Sequence, residues 1–187
     1  MFGIAGLFRA MKKVLLHICC PVCALAVIED LLENNFIVKG FFFNPNIHPY
    51  QEYEKRKKDL DVIRESYCID IIQGRYDPGS WFDVCTKHAA CPEGGERCRL
   101  CYEIRLKETF RLCRELDFDL FTTTLTISPH KKSEVIFKTA KNIGGAIFLE
   151  KDFKKNDGFK KTIEAAKSKG FYRQNYCGCE YSMVKSK

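Results

Sequence analysis

The sequence predicts an α/β fold of three layers, with a mostly parallel sheet between helices. Three observations carry this. Short apolar runs rich in β-branched and aromatic residues alternate with segments of helical periodicity along the whole chain. Gly, Pro and Asn punctuate nearly every junction between them. The 187 residues are 45% hydrophobic, enough to bury one core, and no repeat or low-complexity stretch divides them.

The elements follow in order. Val14 to Ile18 (VLLHI) reads as a buried strand. Pro21 suits a first helical position, and Ala24 to Leu32 continues that helix. Phe36 to Phe43 is a second strand, Asn44 to Pro49 a loop and Tyr50 to Arg64 a charged helix. Ile69 to Ile72 is a third strand. After a turn over Arg75 to Ser80, Trp81 to His88 forms a short helix and Glu93 to Glu96 a glycine loop. Arg99 to Leu116 has helical periodicity, and Phe118 to Thr124 is a fourth strand broken at Ser128-Pro129. Lys132 to Ile143 is a helix capped by Gly144-Gly145, Ala146 to Leu149 a fifth strand, and Gly158 to Lys169 a last helix. In such sheets ligands bind beyond the carboxyl ends of the strands, so Cys19-Cys20, Asn44 and Thr124 to Pro129 should share one rim.

Composition narrows the function. The net charge of +7 suits a polyanionic partner such as nucleic acid, with an ordinary soluble surface as the plain alternative. Met1 to Ala10 is apolar but short, and its flanking Arg9, Lys12 and Lys13 reverse the charge order of a signal peptide. With no run of eighteen apolar residues, a cytoplasmic protein is expected, with residues 1–10 an extension or a mis-assigned start and 11–187 a single catalytic domain. Eleven cysteines, an odd number, fit metal or redox work better than a closed disulfide framework.

Three cysteine groups could carry chemistry. Cys19, Cys20 and Cys23 enter a helix N-terminus, where free N–H groups favour thiolates. Cys98-Arg-Leu-Cys101 sits at a loop-to-helix transition that lets two sulfurs reach one metal. Together these supply the four thiolates of a 4Fe–4S cluster, with a Cys₄ zinc site as the competitor. In Cys177-Gly-Cys179, glycine allows both sulfurs to turn to one side, so the pair suits either an extra iron or a strained, reducible disulfide. Tyr172, Arg173, Gln174, Lys131, His48, Arg97, Arg99 and Arg105 lie near these groups and could contact phosphates or an unstacked base. Cys85, His88 and Cys91 have irregular spacing for a metal knuckle. There is no P-loop and no G-x-G-x-x-G fingerprint.

The ordered set LLHICCPVC (Leu15 to Cys23), FNPNIHPYQEYEKR (Phe43 to Arg56), PEGGERCRLCYEIRL (Pro92 to Leu106), TTTLTISPHK (Thr122 to Lys131) and YRQNYCGC (Tyr172 to Cys179) resembles the QueH family of epoxyqueuosine reductases. The resemblance implies a fold similar to the PP-loop, or adenine-nucleotide α-hydrolase, superfamily. It also implies cobalamin-independent reduction of epoxyqueuosine to queuosine at the tRNA wobble position, with an external electron donor. Cys19, Cys20, Cys98 and Cys101 would bind a 4Fe–4S cluster. Cys177 and Cys179 would form a redox pair or help hold an additional mononuclear iron. Arg173, Gln174, Lys131, His48 and Asn44 would face the substrate, and Tyr172, Tyr176 and Asp83 are the candidate proton donors. A zinc-bearing RNA-binding module and a thiol–disulfide oxidoreductase are the competing functions.

Overall fold

The computed structural model describes residues 11–183, so the expected extension at 1–10 lies outside the described residues. Four strands form one sheet: β1 (Lys13–His17), β2 (Ile37–Phe42), β3 (Ile71–Gln73) and β4 (Leu120–Thr123). Their order is β3-β2-β1-β4 and every pair is parallel. Seven helices surround it: α1 (Pro21–Glu33), α2 (Tyr50–Lys58), α3 (Leu60–Tyr67), α4 (Pro78–Cys85), α5 (Glu96–Glu115), α6 (Ser133–Gly144) and α7 (Gly158–Ser168).

The central strand shows why the layers form. Successive side chains of a strand point to opposite faces. Leu16 enters a core with residues of α1, α3 and α7, while its neighbour Leu15 enters a second core with residues of α5 and α6. Both leucines are fully buried, as expected for a parallel strand covered on both sides. A third, smaller cluster holds Trp81, Cys85, Cys101 and Cys179, away from the sheet.

Two expectations change. The charged helix over Tyr50 to Arg64 is two helices, separated at Asp59. No Gly or Pro marks the break. The two pieces bury different things: α2 buries Glu52, Tyr53 and Arg56, whereas α3 buries Leu60 and Ile63. The Asp59 carboxylate accepts the backbone N–H of Tyr172 at 2.8 Å, which holds the junction from outside.

The fifth strand is also absent among the described residues. Gly145–Ile147 is a 3-10 turn, and a single parallel bridge joins Phe148 to Phe121. The Leu149 N–H does reach the Phe121 carbonyl at 2.8 Å. Beyond it, threonine hydroxyls replace the ladder: Thr122 donates to the Leu149 carbonyl at 3.0 Å and Thr126 to the Lys151 carbonyl at 2.9 Å. The carbonyls are satisfied without a strand.

Two helix starts matter for the site, the first as expected and the second not. Pro21 is the first residue of α1, after Cys20 at the extended N-cap position. The α5 helix opens three residues earlier than periodicity indicates, after Gly95, so Cys98 lies in its first turn. Among the described residues, no helix is long and apolar enough to cross a membrane.

One glycine tests the α6 packing. A Cβ on Gly144 would run into the Phe121 ring, which is fully buried and has nowhere to move. Gly144→Ala should therefore destabilise the fold by about 1–3 kcal/mol. The check is the urea midpoint, which should fall while the slope of the transition stays the same.

Candidate metal centre and substrate cavity

The rim expected from topology exists. The backbone N–H of Cys19, just past β1, donates to the Thr124 hydroxyl at 2.9 Å, just past β4. That hydroxyl in turn donates to the Cys19 sulfur at 3.1 Å. From the loop after β2, the Asn44 amide donates to the Ile18 carbonyl at 2.8 Å. Below them His17 is buried, with Nδ1 2.9 Å from the Thr123 hydroxyl and Nε2 3.1 Å from the Phe43 carbonyl. A carbonyl can only accept, so Nε2 carries the proton and Nδ1 accepts from Thr123. Burial, helped by the Arg105 charge, lowers the His17 pKa to about 4, so the ring is neutral.

The sulfurs of Cys19, Cys20 and Cys23 all lie within 4.8 Å of one another. Cys20 caps α1 and Cys23 lies in its first turn, so the helix start gathers all three. Hydrogen bonds from the Cys20 and Cys23 thiols hold the Cys19 pKa well below the usual thiol range, with help from Lys131 and Thr124. The same contacts push Cys20 up to about 12 and raise Cys23. The Gln174 amide adds a donor to the Cys20 sulfur at 3.1 Å.

The second sulfur group approaches from α5. Cys98 accepts the Gly94 N–H at 3.2 Å, and Cys101 is buried against Trp81, Cys85 and Cys179. Burial raises the Cys98 pKa and pushes Cys101 up to about 11. Cys177 is half-buried and Cys179 is buried; both bear electrostatically on Cys98 and Cys101. All eleven cysteines are free thiols.

Between the two groups stand two cations. Arg105 is 2% exposed, and its Nε donates to the Cys101 carbonyl at 3.0 Å. One of its terminal nitrogens has no partner. Lys131 is partly buried and faces Cys177 and Cys19, which hold its pKa raised against the effect of burial. Neither makes an ion pair with a carboxylate among the described residues. Arg105 bears on Cys101, Cys177 and Cys19 together.

These features border a cavity of about 430 Å³, within the size range of small-ligand sites. Cys19, Cys20, Cys23 and Cys177 line one part of it; Arg56, Arg105, Lys131, Arg173, Gln174, Tyr176 and the carboxylate-bearing Glu93 are among the other residues of its wall. The chemistry fits an anionic, thiolate-bound metal group. Such a group needs convergent thiols and compensating positive charge, and a buried Arg105 nitrogen without a partner supplies the latter.

The expected site residues divide. Cys19, Cys20, Cys177, Arg173, Gln174 and Lys131 meet at the cavity. Cys98, Cys101 and Cys179 lie buried and do not line it, and the first two stand outside the trio of converging sulfurs. Asn44 turns its amide down to the strand end. His48 is buried beside Phe82 and Trp81, at ring separations of 4.5 and 5.0 Å, and does not face the cavity. Tyr172 gives its hydroxyl to Glu52 at 2.7 Å, away from the cavity, and Asp83 is exposed on α4. Tyr176 lines the cavity, but its hydroxyl donates to the His48 carbonyl. Cys85, His88 and Cys91 do not converge on one point.

Three contributors are visible in the sequence without the part they take in the structure. Cys23 stands three residues after Cys20, a C-x-x-C spacing left open. Arg105 follows Cys98 by seven residues and Cys101 by four, the spacing of one helix face. Thr124 carried no motif signal of its own.

Comparison with known proteins shows the family. The family model described as epoxyqueuosine reductase QueH matches residues 14–185. Curated proteins named epoxyqueuosine reductase QueH are similar over nearly the whole chain. The one from Acinetobacter baylyi is 35% identical over 175 residues, covering 91% of this chain and 80% of that protein. The one from Streptococcus pyogenes is 34% identical over 179 residues, covering 91% and 70%. The one from Thermotoga maritima is 33% identical over 180 residues, covering 93% and 92%. With the family model spanning the sheet, the cysteine trio, the α5 pair and the C-terminal pair, this chain belongs to the QueH family of epoxyqueuosine reductases.

Proposed function

We propose that the chain reduces epoxyqueuosine to queuosine in the anticodon loop of tRNA, at the wobble position. The carrying observation is the cavity itself: thiols on one side, two cations without carboxylate partners on the other, and the exposed Arg173 at its edge. A single-stranded loop gives up a base at low cost, and the cavity volume suits one extruded nucleoside.

The reaction removes the epoxide oxygen as water and leaves a carbon–carbon double bond. It consumes two electrons and two protons. The Cys177 and Cys179 dithiol supplies both when it closes to a disulfide, and an external donor reopens it. Lys131 shares the cavity wall with Cys177, where its ammonium can bind the oxygen as charge develops and relay to it one of the two protons the dithiol releases, regaining its own from the thiol. Gln174 and Tyr176 shape the wall beside it, and Arg105 supplies fixed positive charge behind.

Cys19 and Cys20, with Cys98 and Cys101 from α5, are the residues that would hold a 4Fe–4S cluster. Such a cluster supplies electrons one at a time when bound. Cys23 is the third sulfur of the trio and leaves a thiol for an additional mononuclear iron.

Iron and sulfide analysis of anaerobically purified protein tests the ligand set. Cys98→Ser should lose most of the iron together with activity, whereas Cys23→Ser should keep most of the cluster iron. The reverse pattern would put Cys23 in the set in place of Cys98. Cys179→Ser should keep its iron and lose turnover by two or more orders of magnitude. Lys131→Met should lower kcat by about 10²–10³-fold with less effect on KM; a change confined to KM would limit Lys131 to binding. Arg173→Ala should weaken tRNA binding and reduce the slope of log affinity against log salt by about 1. An unchanged slope removes Arg173 from the phosphate contacts.

A further inference from the structure

The motif FNPNIHPYQEYEKR supplies no cavity thiol and no cluster ligand, yet it contains an ion pair that is almost entirely buried. Arg56 Nε donates to Glu52 Oε1 at 2.8 Å, with side-chain exposures of 2% and 7%. The remaining Arg56 nitrogens go to the backbone of the C-terminal segment. One donates to the Cys177 carbonyl at 3.1 Å and the other to the Tyr176 carbonyl at 3.2 Å. The next carbonyl, of Gly178, accepts the His48 N–H at 2.8 Å. Three successive carbonyls around the cysteine pair are thus held by one short stretch of chain. The second Glu52 oxygen accepts the Tyr172 hydroxyl at 2.7 Å, which ties the start of the same segment to the same carboxylate.

The intervening glycine fits this clamp closely. Gly178 has φ +125, and a Cβ there would lie 3.2 Å from an Arg56 terminal nitrogen, from Asn46 and from Ile47. Backbone contacts hold one side of the turn. Cys179 is buried in the cluster that holds Cys101, and Cys177 lines the cavity.

We propose that Arg56, oriented by Glu52, is a positioning residue that holds the Cys177-Gly178-Cys179 turn in the backbone conformation from which the two thiols close to a disulfide. This rests on the dithiol reading of that pair. The planar guanidinium serves a carboxylate and two carbonyls at fixed angles, which a lysine ammonium of equal charge cannot do. Without it the turn samples more conformations, and ring closure loses effective concentration.

The test is the dithiol–disulfide equilibrium of this pair in the full chain, purified anaerobically and held in glutathione redox buffers. Trypsin releases residues 174–185 as one peptide containing only these two cysteines, so differential alkylation and mass spectrometry read the pair directly. Arg56→Lys and Arg56→Gln should each shift the equilibrium at least tenfold toward the dithiol, about 30 mV. Tyr172→Phe removes one hydrogen bond at a partly exposed position and should fold normally. It should shift the equilibrium in the same direction by a smaller factor, and so tests the clamp if the Arg56 variants do not fold. An equilibrium that is unchanged in Arg56→Lys, or moved toward the disulfide, overturns the clamp alone. An equilibrium unchanged in Tyr172→Phe, with the Arg56 variants unfolded, overturns it as well. If the unsubstituted chain forms no disulfide between Cys177 and Cys179 at any ratio, the dithiol reading fails and takes the proposal with it.

Discussion

Positive charge buried without a carboxylate is the constraint on which the cavity depends. Taking a guanidinium out of water costs several kcal/mol unless other charge compensates it. Arg105 meets the Cys101 carbonyl and the face of the Tyr102 ring, and it shares the cavity with Lys131, Cys19 and Cys177, whose sulfurs bear on both charges. Proteins that bury such groups for stability alone pair them with Asp or Glu. Here the compensating charge must come from thiolates or from what the thiolates bind. The cations and the cysteines therefore form one electrostatic unit, and removing either half leaves the other exposed to its full desolvation cost.

The sheet makes that unit possible. Cys19 and Thr124 meet because β1 and β4 are parallel neighbours that end at the same level. The strand order places β1 between β2 and β4, so the loops after these strands surround the cysteine trio. The α5 helix lies on the other face of β1 from α1 and brings Cys98, Cys101 and Arg105 to the same end.

Much of this was legible in the sequence. Leu15 and Leu16 sit in a run that is apolar throughout, and such runs mean a strand covered on both faces, which is what β1 is. Cys19 and Cys20 fall directly after that run, so their rim position followed from topology. The fifth strand was misread because Ala146 to Leu149 has strand composition, while the deciding contacts come from the hydroxyls of Thr122 and Thr126 on another segment. His48 and Asn44 were placed at the substrate side because they follow β2. Sequence position gives the loop but not the direction of the side chain, and both turn inward. The Tyr172 hydroxyl is equally hidden from a reading of sequence position, because its carboxylate partner lies more than a hundred residues away.

The α2 helix shows a limit of reading burial from hydrophobic pattern. An amphipathic helix is recognised by an apolar stripe that meets other apolar side chains. Its residues Tyr50–Lys58 are mostly charged, and pattern alone assigns them to solvent. Yet the Glu52 and Arg56 side chains are both buried. Their partner is backbone: the carbonyls of a C-terminal segment that has no helix or strand between Phe171 and Cys179 to satisfy them. A segment without regular structure must find donors elsewhere or remain in water. Burying it therefore requires a polar helix, and the charge pattern of α2 is the counterpart of the irregularity of the chain it holds.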